Sequence, residues 1–289
     1  MEITLQAIRD RHSVRSYIPE PLGPEETGKV EDAIAACSIG PFGGRPRFEL
    51  VTSAAAGLAG GEEAVKVGTY GFIKGAPAFI LGAIADGPFA NEDYGYCLEG
   101  VVLLAAGLGL GTCWLGGALN RGQVARLLTL GKGEFIPCIT PLGHPSERRS
   151  LRDRIISSRS KGDNRKPFSA LFFDGDFRKP LTDAGSWEEV LEAVRLAPSA
   201  SNKQPWRILR TAGTVAPAFH LFLDEDRIYN SALGAAKMQD VDMGIAMRHF
   251  EAAARAAGLP GGWRRLEALP GPAAVASPAN YRYIASWTA

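Results

Sequence analysis

Ala197-Pro198-Ser199-Ala200-Ser201-Asn202-Lys203-Gln204-Pro205-Trp206-Arg207 is the stretch around which the chain is organised. Ahead of it, Trp187 to Leu196 places Val190, Leu191, Val194 and Leu196 at helical spacing, and Pro198 disfavours helical backbone at the residue before it, so a helix ends here. Five hydrogen-bonding side chains (Ser199, Ser201, Asn202, Lys203, Gln204) then fall within six residues, and Pro205-Trp206 leads into the strand-like run Ile208-Leu209. A loop with both donors and acceptors between a helix end and a strand suits a flat heteroaromatic ring with amide-like edges. Taken alone, such a composition is more often that of a solvated turn.

A second segment changes that balance. The periodicity predicts a short helix over 3–10 with Ile3, Leu5 and Ile8 inward, followed by extended Arg11-His12-Ser13-Val14-Arg15, in which Arg11, Ser13 and Arg15 face one way. Two guanidiniums and a hydroxyl on one face form a site for phosphate or another anion, whereas surface arginines paired with carboxylates are the ordinary alternative. Together the two segments resemble the paired signature of the nitroreductase family of flavoproteins, in which an R-x-S-x-R segment of one subunit meets a P-S-x-x-N-x-Q-P-W loop of its partner across FMN. Here both stand in one chain.

The bounds set by composition are compatible with that resemblance. The 289 residues are 46% hydrophobic and 22% charged with a formal charge of +1, a balance that asks for no nucleic acid, acidic partner or membrane surface. Cys37, Cys97, Cys113 and Cys138 contain no C-x-x-C and make no ligand-spaced cluster with the four histidines, which favours free thiols in a reducing cytoplasm over disulfides or a metal. The start, MEITLQAIRDRHS, shows no secretory pattern. Gly100 to Asn120 carries no charge for 21 residues, long enough to span a bilayer, but its six glycines predict a buried helix that stops near Gly109 and gives way to a loop.

The chain also reads as a repeat. Asp93–Trp114 and Asp242–Trp263 align without gaps at an offset of 149, with six of 22 positions identical: Asp93/Asp242, Gly95/Gly244, Ala105/Ala254, Gly109/Gly258, Leu110/Leu259 and Trp114/Trp263. A helix predicted over Pro24 to Ala36 leads into a loop that looks like a decayed copy of the polar one, since aligning Pro46 with Pro205 sets Arg45 against Gln204 and Gly43 against Asn202. That loop pair is offset by 159, so ten extra residues are expected in the first copy, around Ser53 to Glu63. Each half is expected to run helix, loop, strand, strand, long helix, then G-L and W. Ser157 to Pro167 has the composition of a linker, and Tyr281 to Trp287 alternates as a strand does.

The resemblance implies an α+β fold of two tandem nitroreductase-like halves, 1–165 and 166–289, mixed β-sheets flanked by helices, forming an intramolecular pseudo-dimer and hence a monomer. It implies one FMN per chain, because the R-x-S-x-R segment belongs to the first copy and the intact loop to the second, with no counterpart of Arg11-Ser13-Arg15 between Phe173 and Trp187. The implied cofactor contacts are Arg11, His12, Ser13 and Arg15; Leu115, Gly116 and Gly117, with Gly117 offering its N–H to the ring's N5; and Pro198, Ser199, Ala200, Asn202 and Gln204. The family usually has an acidic residue where this chain has Gly116. Arg149 and Arg152, from a basic cluster equally at home on a solvated helix face, are the implied phosphate cations.

The implied activity is ping-pong hydride transfer from NAD(P)H through FMN to a small electron-poor acceptor such as a nitroaromatic or quinone. The cofactor carries the chemistry, so no catalytic side chain and no metal is expected. A flavin-binding protein without turnover, and a related flavin-fold enzyme of different chemistry, are the competing readings. Gly107 to Thr112 lacks the G-x-G-x-x-G spacing and follows a helix, and neither G-x-S-x-G nor G-K-[ST] occurs.

Overall fold

The computed structural model describes residues 2–55, 73–117, 119–146, 164–226, 228, 235–269 and 278–289. Helix α1 (Leu5–Asp10) is capped by the Thr4 side chain, which accepts the Ala7 N–H at 3.1 Å. Residues 11–17 run extended, and Val14 N–H donates to Thr112 O at 2.8 Å. Helix α2 (Pro24–Ala36) has the predicted bounds, with proline in its first turn and Glu26 reaching back to the Gly23 N–H at 3.1 Å. There follow β1 (Arg47–Thr52), β2 (Ala78–Ala85), α3 (Ala90–Gly107), β3 (Gly111–Thr112), α4 (Arg121–Leu128), β4 (Glu134–Phe135) and β5 (Thr140–Gly143). The second half supplies β6 (Phe172–Asp174), β7 (Asp176–Pro180), α5 (Glu188–Leu196), β8 (Trp206–Thr211), β9 (Ala218–Asp224), α6 (Met238–Ala256), β10 (Gly262–Arg264) and β11 (Tyr281–Thr288).

These elements make a mixed α+β fold with two sheets, as expected. The first sheet has the order β1-β2-β5-β3, with β4 on the far end of β2; the second has the order β10-β11-β9-β8-β6-β7. Stripped of β6 and β7, the second order read from β8 is β8-β9-β11-β10, the same path as in the first sheet. Strand β6 joins the edge of β8 in parallel, and β8-β9 and β1-β2 are both antiparallel hairpin pairs.

The long helices α3 and α6 pack on each other more extensively than any other pair of elements, and each also meets strands of its own half. Every residue of α3 from Ala90 to Ala105 is buried, Glu92, Asp93 and Glu99 included, so the uncharged run that starts at Gly100 opens as the second part of a core helix and needs no bilayer. Among the described residues no helix is long and apolar enough to cross a membrane. The run stops as predicted: Gly109 takes φ +76° and Leu110 N–H returns to Ala105 O at 3.0 Å; at the end of α6, Gly258 takes φ +66° and Leu259 N–H returns to Ala254 O at 2.9 Å. Both are the six-to-one closure of a glycine-ended helix.

The spacing between the halves needs a correction. Thr52 lies opposite Ala78 in the first hairpin and Thr211 opposite Ala218 in the second, so the offset falls from 159 at β1/β8 to 140 at β2/β9 before rising to 149 in the long helices. The first half therefore has nineteen, not ten, additional residues between its strands, and the second has nine before α6. The expected insertion begins in the right place, but of Ser53 to Glu63 only 53–55 lie within the described residues, and of the expected linker only 164–167.

Candidate functional site

The site is assembled on the first turn of α6. Met238 and Asp242 stand one turn apart and so share a face. Gly116 of the first half packs on that face: a Cβ there would lie 2.5 Å from Met238 Sδ and 2.7 Å from Cys138 Sγ. Two sulfurs thus stand where a side chain at position 116 would be. Next to it, the Ala200 N–H of the second half donates to Asp242 Oδ1 at 2.9 Å. The segment 115–117 and the polar loop are therefore neighbours, although one comes from each half. Leu115 is fixed by reciprocal backbone bonds to Ile139 at 2.9 Å, and a Cβ on Gly117 would meet nothing within 4 Å.

The extended N-terminal segment reaches the same region by its register. Ser13 bridges Thr112, three residues ahead of Leu115, so 11–15 runs beside the strand that feeds 115–117. Arg11, Ser13 and Arg15 are half-buried and His12 is exposed, its Nδ1 bonded to Asp10 O at 2.9 Å. Arg11 Nε is buried and has no hydrogen-bond partner; burial lowers the guanidinium pKa, against the opposing influence of Glu99 and Cys113. Glu99, fully buried, accepts from Trp114 Nε1 at 2.7 Å and meets His249 Nε2 at 2.8 Å, while His249 Nδ1 contacts Ala193 O at 2.9 Å. A carbonyl only accepts, so His249 Nδ1 carries hydrogen, and a further proton lies between Nε2 and Glu99. This network ties α3, α5 and α6 to the tryptophan that precedes Leu115.

The polar loop is held in left-handed backbone at Ser201, Asn202 and Gln204, with φ of 53°, 54° and 47°. Non-glycine residues there carry strain unless neighbours fix them. The fixing group is residues 164–166, at the junction of the two halves. Arg165 donates to Leu196 O at 2.8 Å, Ala197 O at 2.7 Å and Asn202 Oδ1 at 3.0 Å; Lys166 N–H donates to Gln204 Oε1 at 2.9 Å; and Asn202 Nδ2 donates to Asn164 O at 3.1 Å. Ser199 Oγ accepts the Gln204 N–H at 2.9 Å. Asn202 and Gln204 thus use their amides to shape the loop around 164–166, a role not foreseen. Arg165 and Lys166 were missed because no spacing marks them within a polar stretch. Pro198, Ser199 and Ala200 are half-buried at the loop's start. Arg149 and Arg152 lie outside the described residues.

The corresponding place in the other half is differently furnished. Asp93, the counterpart of Asp242, accepts from Phe42 N–H at 2.9 Å and Gly44 N–H at 2.6 Å, one bond to each oxygen. The Phe42 ring lies 4.5 Å from that of Phe89, the counterpart of Met238, and Arg265, the counterpart of Gly116, covers Phe89 at 4.8 Å and Tyr283 at 5.2 Å. The chain's own side chains fill that place. Asp242 instead leaves Oδ2 buried and without a partner. Burial raises the Asp93 carboxyl to about 6 against its two N–H bonds, and raises Asp242 to about 8, with Asp240 adding to the rise.

Residues 3–254 match the family model described as "Putative TM nitroreductase", and the chain belongs to that family. A crystal structure of a "putative nitroreductase" from Thermotoga maritima covers 99% of this chain and 92% of its own at 20% identity, with a TM-score of 0.59, and shares the fold. A nitroreductase-family structure from Desulfovibrio desulfuricans in complex with FMN is 24% identical over 52% of this chain and 93% of its own, at a TM-score of 0.39. An FMN-dependent nitroreductase from Clostridium difficile is 18% identical over 50% and 88%, at a TM-score of 0.39. No curated protein matches the chain.

Proposed function

We propose that the chain is an FMN-dependent NAD(P)H oxidoreductase of the nitroreductase type, holding one FMN between its two halves. The observations that carry this reading are that 115–117 and the 198–204 loop pack on the first turn of α6, and that 11–15, whose Arg11 has a buried guanidinium nitrogen without a partner, runs beside the strand leading into 115–117. The residues fit the group. Arg11, Ser13 and Arg15 offer cations and a hydroxyl to its anionic parts, with Arg149 and Arg152 as further phosphate cations. Leu115 to Gly117 offers backbone, open at Gly117, to a flat ring edge. Pro198, Ser199 and Ala200 close the ring from the second half, and Asn202 and Gln204 keep that loop in shape. When bound, FMN supplies the hydride chemistry between a nicotinamide and an electron-poor acceptor such as a nitroaromatic or quinone.

The halves, 1–165 and 166–289, are on this reading tandem copies that form a pseudo-dimer within one monomeric chain. Their common strand order and the equivalent bonds at both helix ends support it. The stacked Phe42, Phe89 and Arg265 support a single site per chain. The four buried free thiols suit a reducing cytoplasm.

The test is the absorption spectrum and flavin content of the purified protein, followed by anaerobic mixing with NADH or NADPH. One flavin per chain whose yellow absorbance bleaches supports the enzyme. A protein that stays colourless in excess FMN refutes it. Flavin that is held but never bleached would favour a binder without turnover, a reading for which the engaged amides of Asn202 and Gln204 speak.

A further inference from the structure

We propose that Asp242 is a positioning residue that works as a neutral carboxylic acid: Oδ1 holds the Ala200 N–H, Oδ2 carries a proton, and the floor between Gly116 and Ala200 stays uncharged so that the anionic cofactor can lie over it. This rests on the FMN reading above and adds to it a residue and a pH dependence.

The two matched carboxyls are held differently. Asp93 and Asp242 stand at equivalent places in two equivalent helices, yet Asp93 has a backbone N–H on each oxygen and Asp242 has one on Oδ1 alone. A buried anion with an unpaired oxygen is among the costliest arrangements in a protein, and a proton on that oxygen removes the charge. The surroundings agree. Asp240 on the same helix adds negative charge, though Arg282 of β11 engages it together with Glu92 of α3 and Glu225. Cys138 approaches from the strand side, and Arg121 behind it donates to Gly116 O at 3.0 Å and Pro137 O at 2.8 Å. The loop's own cation, Lys203, pairs with Asp226 at 2.6 Å. The burial that raises Asp242 to about 8 is the same burial that leaves Oδ2 alone.

Above that pH the carboxylate would stand directly behind the two backbone segments that hold the cofactor, and affinity for FMN would fall. The experiment is the FMN dissociation constant, read by quenching of flavin fluorescence, from about pH 7 to about pH 9.5. Full coupling to one ionisation near pH 8 predicts a weakening of roughly tenfold or more in the natural protein. Asp242→Asn keeps an acceptor for Ala200 and places a neutral donor where the hydroxyl stood, so its constant should change by less than about twofold. Asp93→Asn, on the filled side, should retain the natural response. A constant that does not move with pH in the natural protein, or an Asp242→Asn variant that follows the natural protein, overturns the proposal.

A protein that takes up no FMN at any pH refutes the cofactor reading instead, and the proton is then read directly. Infrared spectra of protein carrying carbon-13-labelled aspartate should show a carboxylic-acid band that titrates near pH 8, separate from one near pH 6 for Asp93. Absence of the higher band overturns the proposal without need of any variant.

Discussion

Gly95 and Gly244 lie back to back where α3 crosses α6, and each is pressed on the other helix at an equivalent residue: Gly95 on the Val241 carbonyl, Gly244 on the Glu92 carbonyl. Residue 241 stands to 92 as 244 stands to 95, so the two contacts exchange under one shift of 149. Such reciprocity is what an isologous contact between two copies produces.

A Cβ on either glycine would collide with backbone, which cannot swing aside. Gly95→Ala and Gly244→Ala should each cost about 3 kcal/mol, read from denaturant unfolding. Gly28, within α2 with nothing near its missing Cβ, is the contrast: Gly28→Ala should stabilise by about 0.5–1 kcal/mol. Equal effects at all three positions would contradict the crossing.

Much of this was legible in the sequence because the same physical demand is met twice. The matched Asp93 and Asp242 each anchor a loop by its N–H groups; Ala105, Gly109 and Leu110, with Ala254, Gly258 and Leu259, close helix ends; and Gly95 and Gly244 permit the crossing. At Gly95 and Gly244 the shared residue is one that the close backbone contact requires. What could not be read was set by tertiary contact alone. The offset counted only a net length, so an insertion in each half was seen as one. The polar side chains of Asn202 and Gln204 advertise hydrogen bonding but not its partner, which turned out to be residues 164–166. Nor does a glycine at 116 disclose that two sulfurs stand where a side chain would be.

Arg11 should show a trade between stability and binding. Its buried Nε lacks a partner, a deficit of about 1–3 kcal/mol that the fold bears without return while no anion is bound. Arg11→Met keeps the stem and removes the guanidinium, so the FMN-free protein should melt higher than the natural one. Its FMN affinity should fall by about tenfold or more. Lower stability with unchanged affinity would assign Arg11 to the scaffold.

Arg165 should prove to be the brace of the polar loop. It satisfies Leu196 O and Ala197 O at the end of α5 as well as Asn202 Oδ1, and the loop beyond holds three residues in left-handed backbone. Arg165→Ala should destabilise by about 2–3 kcal/mol and open the loop to proteolysis between Ser199 and Gln204. Arg165→Lys should rescue little, because one ammonium cannot reproduce the fork that spans three acceptors. Retention of the natural cleavage pattern in Arg165→Ala would show that the loop stands unaided.

The pH dependence of stability has a definite sign. Asp242 titrates near 8 in the fold and near 4 when unfolded, so between those values the folded chain binds one proton more, and stability falls as pH rises. Glu92, raised by burial and by Asp240, acts in the same direction. His220, bonded to Thr211 and Ser286 and pushed by burial down to about 4, acts in the opposite one, its contribution being lost as pH falls below about 6.5. Above pH 6.5 the histidine is neutral in both states, and the carboxyls act alone. Unfolding free energy should therefore decline from pH 6.5 to pH 8 by about 1.4 kcal/mol per unit for each such carboxyl, and Asp242→Asn should remove one carboxyl's share of that slope. A natural protein equally stable at both pH values would mean that Asp242 enters the fold already ionised, with a partner on Oδ2.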